Sequence, residues 1–82
     1  MYQIIIQEAI DKDLKGISRT DIEKIYKRIK SLETAINIDS FKLVNSNIYR
    51  IRQGDFRIIF SLDEEKNKIV ILAISHRKDA YS

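Results

Sequence analysis

Residues 48–60 read IYRIRQGDFRIIF and alternate apolar and basic side chains on both sides of a Gln-Gly-Asp turn. Strict alternation is typical of a half-buried strand, so this stretch predicts a β-hairpin. Successive side chains of a strand point to opposite faces. If the apolar faces of the two arms match, Arg50, Arg52 and Arg57 emerge together on the other face. No carboxylate alternates with them, so the arrangement makes physical sense when a polyanion supplies the missing charge.

Length and composition predict a single small domain over residues 1–82. A hydrophobic fraction of 44% favours a compact fold over disorder. The chain has no cysteine, which excludes disulfides, thiolate chemistry and Cys-ligated zinc. Its single histidine excludes a multi-histidine metal site within one chain, so we expect neither a metal nor another cofactor. The net charge of +3 weakly favours an anionic partner.

The N-terminal stretch MYQIIIQEAIDKD has a short apolar run and early acidic residues, unlike a signal peptide. No apolar run in the sequence approaches the length that spans a membrane. We therefore expect a cytoplasmic protein that does not associate with membranes.

The N-terminal half predicts a strand followed by two helices. Tyr2–Gln7 is a β-branched run that reads as the first strand. A short helix is expected from about Glu8 to Lys15, ended by Gly16. The segment Thr20–Glu23 has the form of a capping box and predicts the start of a second helix. Its apolar residues recur at helical spacing, namely Ile22, Ile25, Ile29 and Leu32.

The C-terminal half predicts three strands. A loop is expected over Thr34–Asn47, then the hairpin, then a polar turn around Asp63 to Lys68. Lys68–Ser75 has apolar residues on both faces, so it should lie centrally in the sheet. The order β-α-α-β-β-β predicts an α+β fold, with two helices on one face of a mainly antiparallel four-stranded sheet. The arginines then lie on the partly open second face.

Several side chains are candidates for binding or chemistry. Arg50, Arg52, Arg57 and Arg77 are planar, permanently charged groups suited to phosphate, although a solvated basic surface would look the same in sequence. His76 is a candidate for proton transfer because imidazole is the side chain most often used for it, although single histidines are often structural.

The hairpin and the stretch IVILAISHRKDAY that follows it resemble the RelE/ParE superfamily of bacterial and archaeal toxins. The segments AIDKDLKGIS and KRIKSL are similar to the two N-terminal helices of that superfamily, so the resemblance covers nearly the whole chain. It implies a RelE-like microbial RNase fold and a cognate RelB-like antitoxin in a hetero-oligomeric complex.

The resemblance leaves three activities open. RelE-like members enter the ribosomal A site and cleave mRNA without a metal, which is the function we favour. ParE-like members poison DNA gyrase. A degenerate member would only bind its antitoxin and regulate its own operon.

The resemblance also assigns residues. Arg50 and Arg52 correspond to basic residues of the first hairpin arm, Arg57 to that of the second, and Arg77 and Tyr81 to C-terminal functional residues. Well-studied RelE members have lysines in the first arm, and an arginine stays protonated, so the general base is not identified. The predicted catalytic set is Arg57, Arg77, Tyr81 and His76, and the predicted RNA-binding set is Arg50, Arg52 and Lys78. In this scheme Tyr81 stacks on a codon base.

Overall fold

The computed structural model describes residues 1–76. Its strands are β1 (Gln3–Ile6), β2 (Ile48–Gln53), β3 (Phe56–Asp63) and β4 (Lys68–His76). Its helices are α1 (Ile10–Asp13) and α2 (Arg19–Ser31), with single turns of 3₁₀ helix at Leu32–Thr34 and Ile38–Phe41. The predicted order of strands and helices is confirmed. The predicted loop over Thr34–Asn47 contains the 3₁₀ turn at Ile38–Phe41, whereas the turn at Leu32–Thr34 ends at the first residue of that loop.

The strands form one sheet in the spatial order β1-β4-β3-β2. The β2–β3 and β3–β4 pairs are antiparallel, and β1 runs parallel to β4. The prediction that the last strand lies centrally is therefore confirmed. Its residues Ile69, Ile71 and Ile74 are buried in the core, and the apolar residues on its other face are partly buried.

Helix α2 begins earlier than the sequence predicted. The N-cap is Ser18, whose backbone is extended and whose Oγ accepts a hydrogen bond from the Asp21 N–H at 3.2 Å. The predicted capping box, with Thr20 as its cap, is wrong because Thr20 already lies within the helix. Both hydroxyl residues fit a cap in sequence, and only the backbone conformation distinguishes them.

Helix α1 is a single turn, shorter than predicted. Gly16 follows it with φ of 82°, a left-handed conformation that favours glycine and ends the turn. Helix α2 presents Ile25 and Ile29 to the core, and Leu32 extends the same stripe into the next turn. The apolar spacing therefore predicted the buried side of α2 correctly.

The core lies between the helices and one face of the sheet. The sheet contributes residues that alternate along each strand except at the register irregularity between Ile71 and Ile74. These are Tyr49, Ile51, Phe56, Ile58, Phe60, Ile69, Ile71 and Ile74. The opposite face is not covered by a helix within residues 1–76. Neither α1 nor α2 is long and apolar enough to cross a membrane.

Candidate nucleic-acid interface

The open face of the sheet carries a cluster of arginines near the β2–β3 turn. Arg52 pairs with Arg57 across the two strands, and Arg50 pairs with Ile59. Arg50 and Arg52 are exposed, and Arg57 is partly buried. The prediction that these three residues emerge on one face is confirmed by the register. We call the surface formed by Arg50, Arg52 and Arg57 the arginine face.

The hairpin turn fixes this register. Gln53 pairs with Phe56, so Gly54 and Asp55 form a two-residue loop. Gly54 has φ of 59°, the left-handed value that the first loop residue of a type II′ turn requires. A shift of β2 by one residue would turn Arg50 and Arg52 toward the core and expose Ile51, which is buried opposite Ile58, so this register is strongly favoured.

The backbone pattern brings Arg52 and Arg57 close together. The carbonyl of Ile48 accepts a hydrogen bond from the Leu43 N–H at 2.9 Å, so Ile48 directs its backbone groups away from β3. Backbone direction alternates along a strand, so Arg52 also directs its groups away from β3. Arg52 and Arg57 are therefore a non-hydrogen-bonded pair, in which the Cα atoms lie about 4.5 Å apart.

Two of the three charges on this face are not neutralised by a carboxylate within residues 1–76. Within residues 1–76, neither Arg50 nor Arg52 forms an ion pair with a carboxylate, and the salt bridge between Arg19 and Glu23 lies on α2. Like charges directly opposite each other on paired strands are destabilising. An approaching phosphodiester chain would relieve that repulsion and accept planar, charge-assisted hydrogen bonds from the guanidinium groups.

His76 does not lie on the arginine face. It pairs with Phe56, and the centres of the two rings are 5.1 Å apart in an edge-to-face arrangement. Phe56 points to the helix-covered side, so His76 lies on that side as well. It lines a cleft of about 780 Å³ with Lys12, Lys15 and other residues of the α1–α2 connection. This placement favours a structural role for His76 over proton transfer.

The three other predicted site residues lie outside the described part of the chain. These are Arg77, Lys78 and Tyr81, which follow directly after β4. Their roles in catalysis and RNA binding stay predictions.

A structural contact that the sequence did not reveal holds the end of β4. β1 pairs with β4 only as far as Ile71, so no strand supplies acceptors to the N–H groups of β4 on that edge beyond this point within residues 1–76. The carboxylate of Asp13 accepts a hydrogen bond from the Ile74 N–H at 3.0 Å. The two residues are 61 positions apart, and no local pattern marks the pairing.

Comparison with known families gives a match over most of the chain. The sequence model described as the ParE toxin of the type II toxin–antitoxin system parDE matches residues 4–81. A protein of Methanocaldococcus jannaschii that carries the name toxin RelE1 is 29% identical over an alignment of 85 positions. The alignment covers 98% of this chain and 94% of that protein.

Comparison with solved structures supports the same fold. The isolated E. coli RelE toxin aligns with a TM-score of 0.77 at 18% identity, over 93% of this chain and 84% of that one. The archaeal RelE–RelB complex of Pyrococcus horikoshii aligns with a TM-score of 0.76 at 25% identity, over 93% of this chain and 94% of that one.

Proposed function

We propose that this chain, which belongs to the ParE toxin family of type II toxin–antitoxin systems, inhibits translation by cutting mRNA. Family membership makes it the toxin component of a toxin–antitoxin module. The observation that carries the proposal of an RNA substrate is the arginine face, where three permanently charged side chains share one open sheet surface. The proposed place of action is the ribosomal A site.

The proposed reaction is a metal-free transesterification. The 2′-hydroxyl of one nucleotide attacks the neighbouring phosphorus, the bond to the 5′ oxygen breaks, and the products carry a 2′,3′-cyclic phosphate and a 5′-hydroxyl. Negative charge grows on the non-bridging oxygens during this step. Guanidinium groups placed in advance stabilise that charge with little reorganisation.

Arg57 is the first choice for this role among the described residues. It lies on β3, which has neighbours on both sides, and it is partly buried, whereas Arg50 and Arg52 lie on the edge strand β2 and are exposed. A charge that is partly removed from water interacts more strongly with a developing anion. In the proposal Arg57 and Arg77 stabilise the transition state, Arg50, Arg52 and Lys78 hold flanking phosphates, and Tyr81 stacks on a base.

The arginines do not remove the proton from the 2′-hydroxyl. A guanidinium stays protonated at any working pH. An imidazole can accept a proton, but His76 lies on the helix-covered side, away from the arginine face. The proposal therefore assigns charge stabilisation and positioning to the protein, and assigns no general base among residues 1–76.

The proposed partner that neutralises the toxin is a RelB-like antitoxin. The related toxins of E. coli and P. horikoshii have been solved in complexes with RelB. On this chain the open face offers partly buried apolar residues beside the arginine face, which are Ile48, Ile59, Val70, Leu72 and Ala73. A partner that covers them would also cover the arginine face and block RNA. Co-purification with the product of an adjacent gene tests this, and recovery of the toxin alone from its native host contradicts it.

DNA gyrase poisoning is the second candidate function. The matching family model is that of ParE toxins, which favours this alternative, whereas the relative and the solved structures named above are RelE proteins. A gyrase poison acts by binding a protein and induces a DNA-damage response. It would leave mRNA intact.

Primer extension on mRNA from cells that express the chain separates these functions. We expect new 5′ ends within codons in cells with the wild type. Arg57→Ala should reduce cleavage about 100–1,000-fold, as removal of one well-aimed charged donor typically does, and Arg77→Ala should do the same. The matched control is Lys66→Ala, an exposed cation in the turn between β3 and β4.

Equal growth arrest by the wild type and the Arg57→Ala, Arg77→Ala double variant would contradict the nuclease proposal. Uncut mRNA together with a DNA-damage response would favour gyrase poisoning. Uncut mRNA and normal growth would indicate a degenerate toxin that retains only antitoxin binding.

A further inference from the structure

Strand β1 has an open backbone edge. The Gln3 N–H donates to the Asn67 carbonyl at 2.9 Å, which directs the backbone groups of Gln3 toward β4. The Tyr2 N–H donates to the Glu33 carbonyl at 2.8 Å on the other side. Because direction alternates along a strand, Ile4 and Ile6 also point away from β4. Within residues 1–76, the outward backbone groups of Ile4 and Ile6 have no backbone partner.

This edge lacks two of the features that usually prevent strand addition, which are charged side chains and prolines. Edge strands are commonly protected by charged residues, prolines or bulges. The stretch Tyr2–Gln7 contains no charged residue and no proline, and Ile6 is 41% exposed. The opposite edge is different, because β2 carries two arginines and is bridged by Lys42 at Tyr49. The sheet therefore has one protected edge and one edge that can accept a strand.

The sequence of the open edge is complementary to itself. Residues 3–7 read Gln-Ile-Ile-Ile-Gln, which is the same in both directions around Ile5. We propose that β1 pairs antiparallel with β1 of a second copy of this chain, with a two-fold axis at Ile5. This pairing places Ile4 opposite Ile6 of the second copy, and both have outward backbone groups. The four outward N–H and carbonyl groups of each chain are then satisfied as two hydrogen-bonded pairs.

The proposed dimer leaves the arginine face accessible. The two sheets join into one eight-stranded sheet in which β2 of each copy is outermost. The arginine faces thus lie at the two far ends, and pairing at β1 does not cover them. The surface is isologous, as closed two-fold dimers require. This inference is independent of the proposed nuclease activity, because it uses only the backbone of β1.

The absence of native cysteine allows a direct test by cross-linking. The two copies of Ile5 would form a non-hydrogen-bonded pair with Cα atoms about 4.5 Å apart, within the range of about 4.4–6.8 Å that a disulfide spans. The substitution I5C should therefore give a covalent dimer of the purified full chain under mild oxidation. The matched control is Q3C on the same face of β1. The two-fold axis would place its two thiols about 13 Å apart, too far to link.

Light scattering and circular dichroism complete the test. The mass of the wild type should rise from 9.7 kDa toward twice that value with concentration. The edge substitution I6K should shift this transition to at least tenfold higher concentration, because a lysine on an edge strand opposes pairing. Folding of each variant is checked by its circular dichroism.

A wild-type mass of 9.7 kDa at every concentration, with I5C linking no faster than Q3C, would overturn the proposal. Linking of I5C only to an added antitoxin peptide that carries one cysteine would also overturn it, in favour of a partner strand at β1.

Discussion

Arg52 of β2 lies directly opposite Arg57 of β3 as a non-hydrogen-bonded pair, at the second pair from the hairpin turn. Side chains of such a pair are closer together than those of a hydrogen-bonded pair. Two guanidinium groups at this position repel each other, and like-charged cross-strand pairs reduce stability. In the proposed function, this pairing is retained for the binding of an anion rather than for stability.

Replacement of Arg52 should consequently raise stability while it weakens RNA binding. We expect Arg52→Thr to increase the free energy of unfolding by about 0.2–1 kcal/mol, because it removes the opposed charge. Urea denaturation measures this change. The control is Arg50→Thr, which makes the same substitution opposite Ile59 and should give a smaller gain. Equal gains from both variants would show that strand propensity, and not repulsion, is responsible.

His76 should prove to be structural. Its ring contacts Phe56 on the helix-covered side, so we expect His76→Gln to keep the RNA cleavage rate within about tenfold of the wild type, a smaller loss than general acid–base catalysts usually show. The dependence of the rate on pH is the decisive measurement. Loss of one limb of the pH–rate profile in the variant, with the fold intact, would show instead that His76 transfers a proton.

Asp13 should contribute to stability through its bond to β4. Asp13→Ala leaves the Ile74 N–H without its partner, so the free energy of unfolding should fall by about 1–3 kcal/mol. Asp13→Asn keeps an acceptor oxygen and should restore part of the loss. Asp11→Ala, at an exposed position of the same helix, should stay within about 0.5 kcal/mol of the wild type. Similar losses at both positions would assign the effect to helix α1 itself.

The arginine face was predictable because a hairpin has a fixed side-chain period. Once the buried positions of the two arms are known, the side that carries Arg52 and Arg57 follows from alternation alone. The start of α2 was not predictable in the same way, since Ser18 and Thr20 are both good caps and only the backbone of Ser18 selects between them. The same limit applies to contacts between distant segments.

The contact of Asp13 with Ile74 illustrates that limit, because it depends on where β1 ends beside β4.

The position of His76 illustrates a second limit of prediction from sequence. Its chemistry was visible in the sequence, but its face depends on the pairing with Phe56 after a register shift between Ile59 and Phe60. An irregularity of this kind changes which residues share a face, and strict alternation cannot reveal it.

Tyr49 should make the fold sensitive to high pH. Its side chain is buried and stacked on Phe60, and burial, together with Asp39 and Glu64, raises its pKa above the ordinary value near 10. The folded state thus holds the neutral phenol. In the unfolded chain the same group ionises at lower pH, so the stability it contributes is present below about pH 10 and is lost as the pH rises through the folded pKa. We expect Tyr49→Phe to lose less stability than the wild type between about pH 9 and pH 11 in urea denaturation. Tyr26→Phe, at an exposed position, should follow the wild-type curve. Parallel curves for Tyr49→Phe and the wild type would show that the alkaline loss comes from other groups.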